Sequence, residues 1–154
     1  MEILFLILKI LLVIIVLCFL RTWQLEHGTD QKRFLKGTVP HPHPEGFYPG
    51  TVPGDKVPWL GKKFDGVRST GINLFGSSEH PVEKFSFKTS VGKGARDMAL
   101  DVFRIDYNIS HGPLWARPIL DEIVEIAPNH YLGKLQFRVI PTMPFTLVYF
   151  ELKK

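Results

Sequence analysis

Residues 3–20, ILFLILKILLVIIVLCFL, carry one polar side chain, Lys9. A helix of this length rises about 27 Å at roughly 1.5 Å per residue, close to the thickness of a bilayer's hydrocarbon core. So apolar a run has no place on the surface of a small domain. It is read as an anchor over residues 1–22, which leaves the rest of the 154-residue chain to build the fold. The rival is a cleaved signal peptide, which wants a basic n-region and small residues at the cleavage point. The run opens on Met1-Glu2 and leaves as CFLRTWQ, so neither cue is present. Leu17 before Cys18 also argues against a lipoprotein site, and Trp23 suits an interfacial position.

Arg21, Lys32, Arg33 and Lys36 follow the run and supply much of the net charge of +4. Cations so placed are attracted to anionic lipid headgroups by about 1 kcal/mol each. By the positive-inside rule they favour the cytoplasmic face for the following domain, with export as a signal anchor the alternative. No dense basic patch or aromatic RNA-binding motif accompanies them, so nucleic acid is not expected as a partner. Cys18, the sole cysteine, lies inside the run, so no intramolecular disulfide is available.

Residues 23–58 form a juxtamembrane and proline-rich arm. Six of the twelve prolines fall between residues 39 and 58, a density that blocks helix and central strand. An extended path is expected there, with turns at Pro49-Gly50 and Pro53-Gly54. Beyond Trp59 the apolar residues recur every second position. Phe85 and Phe87 alternate with Lys84, Ser86 and Lys88. Phe103, Ile105 and Tyr107 alternate with Arg104 and Asp106. Leu135, Phe137 and Val139 alternate with Lys134, Gln136 and Arg138. Strands are predicted at 62–66, 70–75, 83–91, 99–108, 119–126, 131–140 and 145–152, with turns that include Pro141 to Pro144. Residues 114–126 fit helix or strand. Phe103, Ile105, Leu135 and Phe137 are expected inward. Closure removes exposed strand edges, so residues 59–154 read as a small antiparallel barrel.

Three segments are the most specific: RPILDEIVEIAP (117–128), YLGK (131–134) and PFTLVYFEL (144–152). With KKFDGVRSTGINLF and FKTSVGKGARDMALDVFRIDYN they resemble a family of small uncharacterised microbial proteins with a lipocalin-like β-barrel, over about residues 35–152. The resemblance implies a mainly β, lipocalin-like fold and a hydrophobic ligand. It supplies no catalytic residue and no cofactor.

The chemistry legible in the residues is sparse. His41 and His43 form an H-x-H pair, but a metal site needs a third ligand and none is indicated; they read as turn residues. Asp121 and Glu122 point to opposite faces of a strand and read as a solvated rim. Trp59, Trp115 and Arg117 are bulky amphipathic groups beside proline or glycine turns, where barrel ends fall. They are the candidate ligand-binding residues: Arg117 to meet an acidic head group, the tryptophans to cover a tail. Three readings stay open. In the first, a membrane-anchored barrel binds or shields a lipophilic small molecule. In the second, the chain is an accessory subunit whose residues 1–22 pack on other membrane subunits, with Lys9 facing a partner. The third is a small enzyme, which would need a polar, pKa-perturbed cluster in a pocket.

Overall fold

The computed structural model describes residues 1–54, 57–140 and 143–154. It opens with a long helix, α1 (Glu2–Glu26), and a short one, α2 (Thr29–Phe34). Eight strands follow: β1 (Gly46–Thr51), β2 (Trp59–Asp65), β3 (Thr70–Gly76), β4 (Pro81–Lys93), β5 (Asp101–Asp106), β6 (Ile119–Ala127), β7 (His130–Ile140) and β8 (Met143–Lys153). Each pairs antiparallel with the next, and β1 pairs with β8 to close the barrel. The ambiguous stretch resolves into a 3-10 turn at Leu114–Ala116 and then β6. Of the expected 141–144 turn, Pro141 and Thr142 lie outside the described residues, as does the Val139 side chain.

The proline-rich arm is corrected in one respect. It contributes β1, the eighth strand, so the barrel begins at Gly46 and not at Trp59. Pro49, expected in a turn, lies within that strand opposite Gly61 of β2. Pairing to β8 begins only at Gly50. A missing N–H is tolerated where one side of a strand is not yet laddered, which is how Pro49 fits.

Alternation sorts side chains into two cores. Inside the barrel Tyr48, Phe64, Phe87, Phe103, Ile105, Tyr107, Ile123 and Tyr131 pack together. Glycines make room for the rings. A Cβ on Gly71 would lie 2.3 Å from the Phe87 ring, and one on Gly133 2.2 Å from the Phe150 ring. Outside the barrel, α2 and the end of α1 cover part of the wall. There Phe34, Val102, Val124, Leu132 and Tyr149 form a second cluster.

The chain descends this outer wall alongside β8. Phe19 meets Phe145 edge-on at 4.9 Å, and Thr22 Oγ1 accepts from Thr146 N–H at 3.0 Å. Further down, Gln31 meets Tyr149 and Arg33 pairs with Glu151 at 2.9 Å. The apolar length of α1 before Phe19 therefore projects past the barrel end that holds the β5–β6 connection and the start of β8. That length is unburied, and α1 is long and apolar enough to cross a membrane.

The cover changes several expected exposures. Lys134 and Gln136, which alternate with the positions of β7 expected inward, are fully buried too. Asp121 and Glu122, read as a solvated rim, do point to opposite faces, but both are buried. Phe103 and Ile105 lie in the inner core as expected, and Leu135 packs against it. Phe137 is only half-buried near the strand's upper end. A strand's period of two specifies which residues share a face. It does not say whether a helix lies across the other one.

Candidate functional site

The two ends of the lumen differ. The lower half is filled by aromatic rings; Tyr48 and Tyr131 centroids lie 5.0 Å apart, Phe64 and Phe87 5.5 Å. The upper half encloses a cavity of about 290 Å³. Val52, Trp59, Phe75, Phe85, Leu135 and Val148 are among its walls. It reaches the surface beside Val57, 46% exposed, and Trp115, 60% exposed. Leu114 next to Trp115 and Met143 at the start of β8 are exposed as well. The cavity thus opens at the end from which α1 projects.

Two irregularities shape it. The β2–β3 register shifts between Trp59 and Gly61, which sets Trp59 across the lumen, edge-on to Phe150 at 5.5 Å. The β3–β4 register shifts between Ile72 and Asn73, and Phe85 takes φ +56°. That region is costly for an aromatic residue and persists only where its surroundings hold it. Here the Phe85 ring packs on Phe75 and Trp115, at 5.6 and 5.1 Å, and its carbonyl accepts from Asn73 Nδ2 at 3.0 Å.

The floor of this apolar cavity is polar and charged. Lys62 Nζ lies 2.8 Å from Asp121 Oδ2, and both side chains are almost wholly buried. Lys62 also donates to Asn73 Oδ1 at 2.8 Å and to the Tyr107 hydroxyl at 2.5 Å. Tyr107 donates to Asp121 Oδ2 at 3.0 Å, Asn73 Nδ2 to Tyr107 at 3.0 Å, and Trp59 Nε1 to Asn73 Oδ1 at 3.1 Å. The ammonium is ringed by aromatics, with the Trp59, Phe87, Tyr107 and Phe150 centroids 5.2–5.4 Å away. Asp121 Oδ1 has no hydrogen-bond partner among the described residues. Burial draws the Lys62 pKa below its usual range, although Asp121 opposes the shift. Burial and the Asp121 charge push the Tyr107 phenol well above its own.

Of the expected ligand residues, Trp59 and Trp115 line the cavity. Arg117 does not; its Nη2 donates to the Ser110 carbonyl at 3.1 Å. It sits just past the 3-10 turn, where its carbonyl accepts from Arg138, which also binds Asp106 at 2.7 Å. Lys62, Asn73, Tyr107 and Asp121 were missed. Three of them carried a signal: Lys62 shares parity with Phe64, Tyr107 with Phe103 and Ile105, and Asp121 with Ile119 and Ile123. His41 and His43 line a separate recess at the lower end with Tyr48, Asn129 and Tyr131. Among the described residues no group of three or more metal-ligating side chains occurs.

The molecule is thus an eight-stranded closed antiparallel barrel with one filled end, one open end and a buried ion pair between them. No protein-family model matches the chain, and no curated protein matches it. A crystal structure of a protein from Thermomonospora curvata is similar in fold, with a TM-score of 0.56 at 17% identity. The match covers 80% of this chain and 84% of that one. At that identity the likeness is one of barrel architecture.

Proposed function

We propose that this chain is a membrane-anchored, lipocalin-like barrel that binds a lipophilic small molecule in the upper half of its lumen. The observation that carries the reading is the cavity itself. It is apolar-walled, sits over a small polar floor, and opens where the unburied apolar helix projects. Ligand sites have this form: concave, largely apolar, with a few placed polar groups. Its volume, about 290 Å³, suits a small lipophile or one acyl chain and not a bulky lipid. With α1 across a bilayer, the mouth at Val57, Leu114 and Trp115 faces the headgroup layer, and a lipophile reaches the lumen without crossing water. Arg21, Lys32 and Arg33 then favour the cytoplasmic leaflet.

The test is native mass spectrometry of the full chain extracted from membranes, with its bound small molecules analysed. The intact chain is expected to carry a lipophile that a Val148→Trp variant, its cavity filled, loses. Equal retention by both chains would overturn the reading. An accessory-subunit role is favoured by one feature, Lys9 within the exposed apolar helix. Stable copurification of a polypeptide through residues 1–22, with an empty cavity, would support it.

A further inference from the structure

Resting on the lipophile reading, we infer that the ligand is uncharged and presents a hydrogen-bond donor, an alcohol or an amide N–H, to Asp121 Oδ1. The argument is a census of the cavity floor. An ammonium has three donors and no acceptor. Those of Lys62 are engaged by Asn73 Oδ1, Tyr107 and Asp121 Oδ2. The Asn73 amide gives both its protons away, to the Phe85 carbonyl and to Tyr107. Trp59 Nε1 and the Tyr107 hydroxyl donate to Asn73 and Asp121. Every side-chain donor on the floor is in use. Among the described residues one acceptor has no partner: Asp121 Oδ1, on a residue 1% exposed that lines the cavity.

A buried acceptor left unpaired is costly, and a ligand that satisfies it gains what the apo fold forgoes. A fatty carboxylate is wrong for this floor. It would bring acceptors to a site without a free donor and a negative charge against Asp121, whose own charge already balances Lys62. The acidic head group expected to meet Arg117 therefore has no receptor in the lumen, since Arg117 lies outside it. An ether or alkane of the same length fills the walls but leaves Oδ1 as it was.

The experiment uses the full chain in lipid nanodiscs, titrated with 1-decanol, decyl methyl ether and decanoate. Tryptophan emission is the readout, and each titration is corrected for partition into empty discs. The alcohol is expected to bind at least about tenfold more tightly than the ether and the carboxylate, a hydrogen bond to a charged group being worth that much. Equal binding of alcohol and ether, or tighter binding of decanoate, would overturn the inference and leave the lipophile reading standing. Binding by none of the three would remove both. Asp121→Asn should shrink the alcohol's advantage over the ether to less than about threefold. Should that variant fail to fold, the three-probe series on the unaltered chain decides.

Discussion

Among the described residues two lysines are buried, Lys62 and Lys134, and their surroundings differ in kind. Lys134 lies on the outer wall beneath α1, with side-chain exposure of 0%. Asp97 is 2.7 Å from its ammonium and Glu26 3.4 Å. Arg96 binds Glu26 through two nitrogens, at 2.5 and 2.8 Å, and Gln31 donates to Asp97 at 2.8 Å. Thr146 Oγ1 adds a further bond to Glu26 at 3.0 Å. Each carboxylate there has more than one donor, and two cations face two carboxylates, so the network clamps α1 to the wall through several bonds. Lys62 is in the lumen, where among the described residues it pairs with one carboxylate, Asp121, whose Oδ1 has no partner among them. A redundant network reads as a fastening. A minimal pair beside open space reads as a site.

Removing one partner separates the two most sharply. Asp121→Ala strands a buried ammonium among aromatic rings, and losing one member of a buried pair costs about 3–5 kcal/mol. Lys134→Met leaves Glu26 with Arg96 and Asp97 with Gln31, so a loss of about 1–3 kcal/mol is expected. Chemical denaturation of both chains measures the difference. Equal losses would mean that redundancy does not protect the outer network.

Replacing both members tests the lumen pair from the other side. Buried ion pairs exchanged for apolar residues of similar volume are often neutral or stabilising by about 1–4 kcal/mol. Lys62→Met with Asp121→Leu should therefore recover most of what Asp121→Ala loses, and it should abolish any preference for an alcohol over its ether. A double variant as unstable as the single one would show that Asn73 and Tyr107, stripped of partners, matter more than the pair.

How far the sequence foretold this contrast follows from periodicity. Alternation placed six of the eight strands and the inner position of Phe103 and Ile105, because a pleated strand repeats every two residues, and left β6 open between strand and helix. It missed β1, since proline density reads as blocking helix and central strand and leaving an extended path with a turn at Pro49-Gly50, whereas Pro49 needs only one unladdered side. It misread Glu122 as solvated and did not foresee the burial of Lys134 and Gln136, because nothing in β6 or β7 announces that α1 and α2 will lie across the outer wall. It passed over Lys62 and Asp121 for another reason. Both stood at inward parity, but charge was weighed above position. The two tryptophans, picked out by size and turn neighbours, line the cavity, whereas Arg117, picked out by the same cue, is not in its lining.

Alkaline pH offers a gentler probe of the same contrast. Burial lowers the Lys62 pKa from its ordinary 10.5. Where the folded lysine has lost its proton and the unfolded one has not, the unfolded chain binds more protons, so stability rises with pH toward about 10.5. Tyr107, Tyr131 and Tyr149 are all shifted up, chiefly by burial. Above pH 10 the unfolded phenols ionise first, the folded chain holds more protons, and stability falls. Denaturation midpoints from pH 7 to 12 should show a rise and then a fall. The Lys62→Met, Asp121→Leu chain should lose the rise and keep the fall, because Tyr131 and Tyr149 lie outside the floor cluster. If the rise persists, it does not originate at Lys62.

The smallest effect on stability is expected at the mouth, where it says most about function. Trp115 is 60% exposed and packs its ring edge-on against Phe85. Exposed substitutions of this kind usually shift stability by no more than about 0.5 kcal/mol. Trp115→Ala should therefore leave the denaturation midpoint almost unmoved. It nonetheless takes away one wall of the opening, so a bound lipophile should escape sooner, and release rates from the nanodisc-held chain should rise several-fold. Affinity differences among closely related complexes reside mostly in such off-rates. A variant that released ligand at the original rate would place the entrance elsewhere on the barrel. One that unfolded would make Trp115 a structural lid over Phe85, whose positive φ angle then depends on the indole above it.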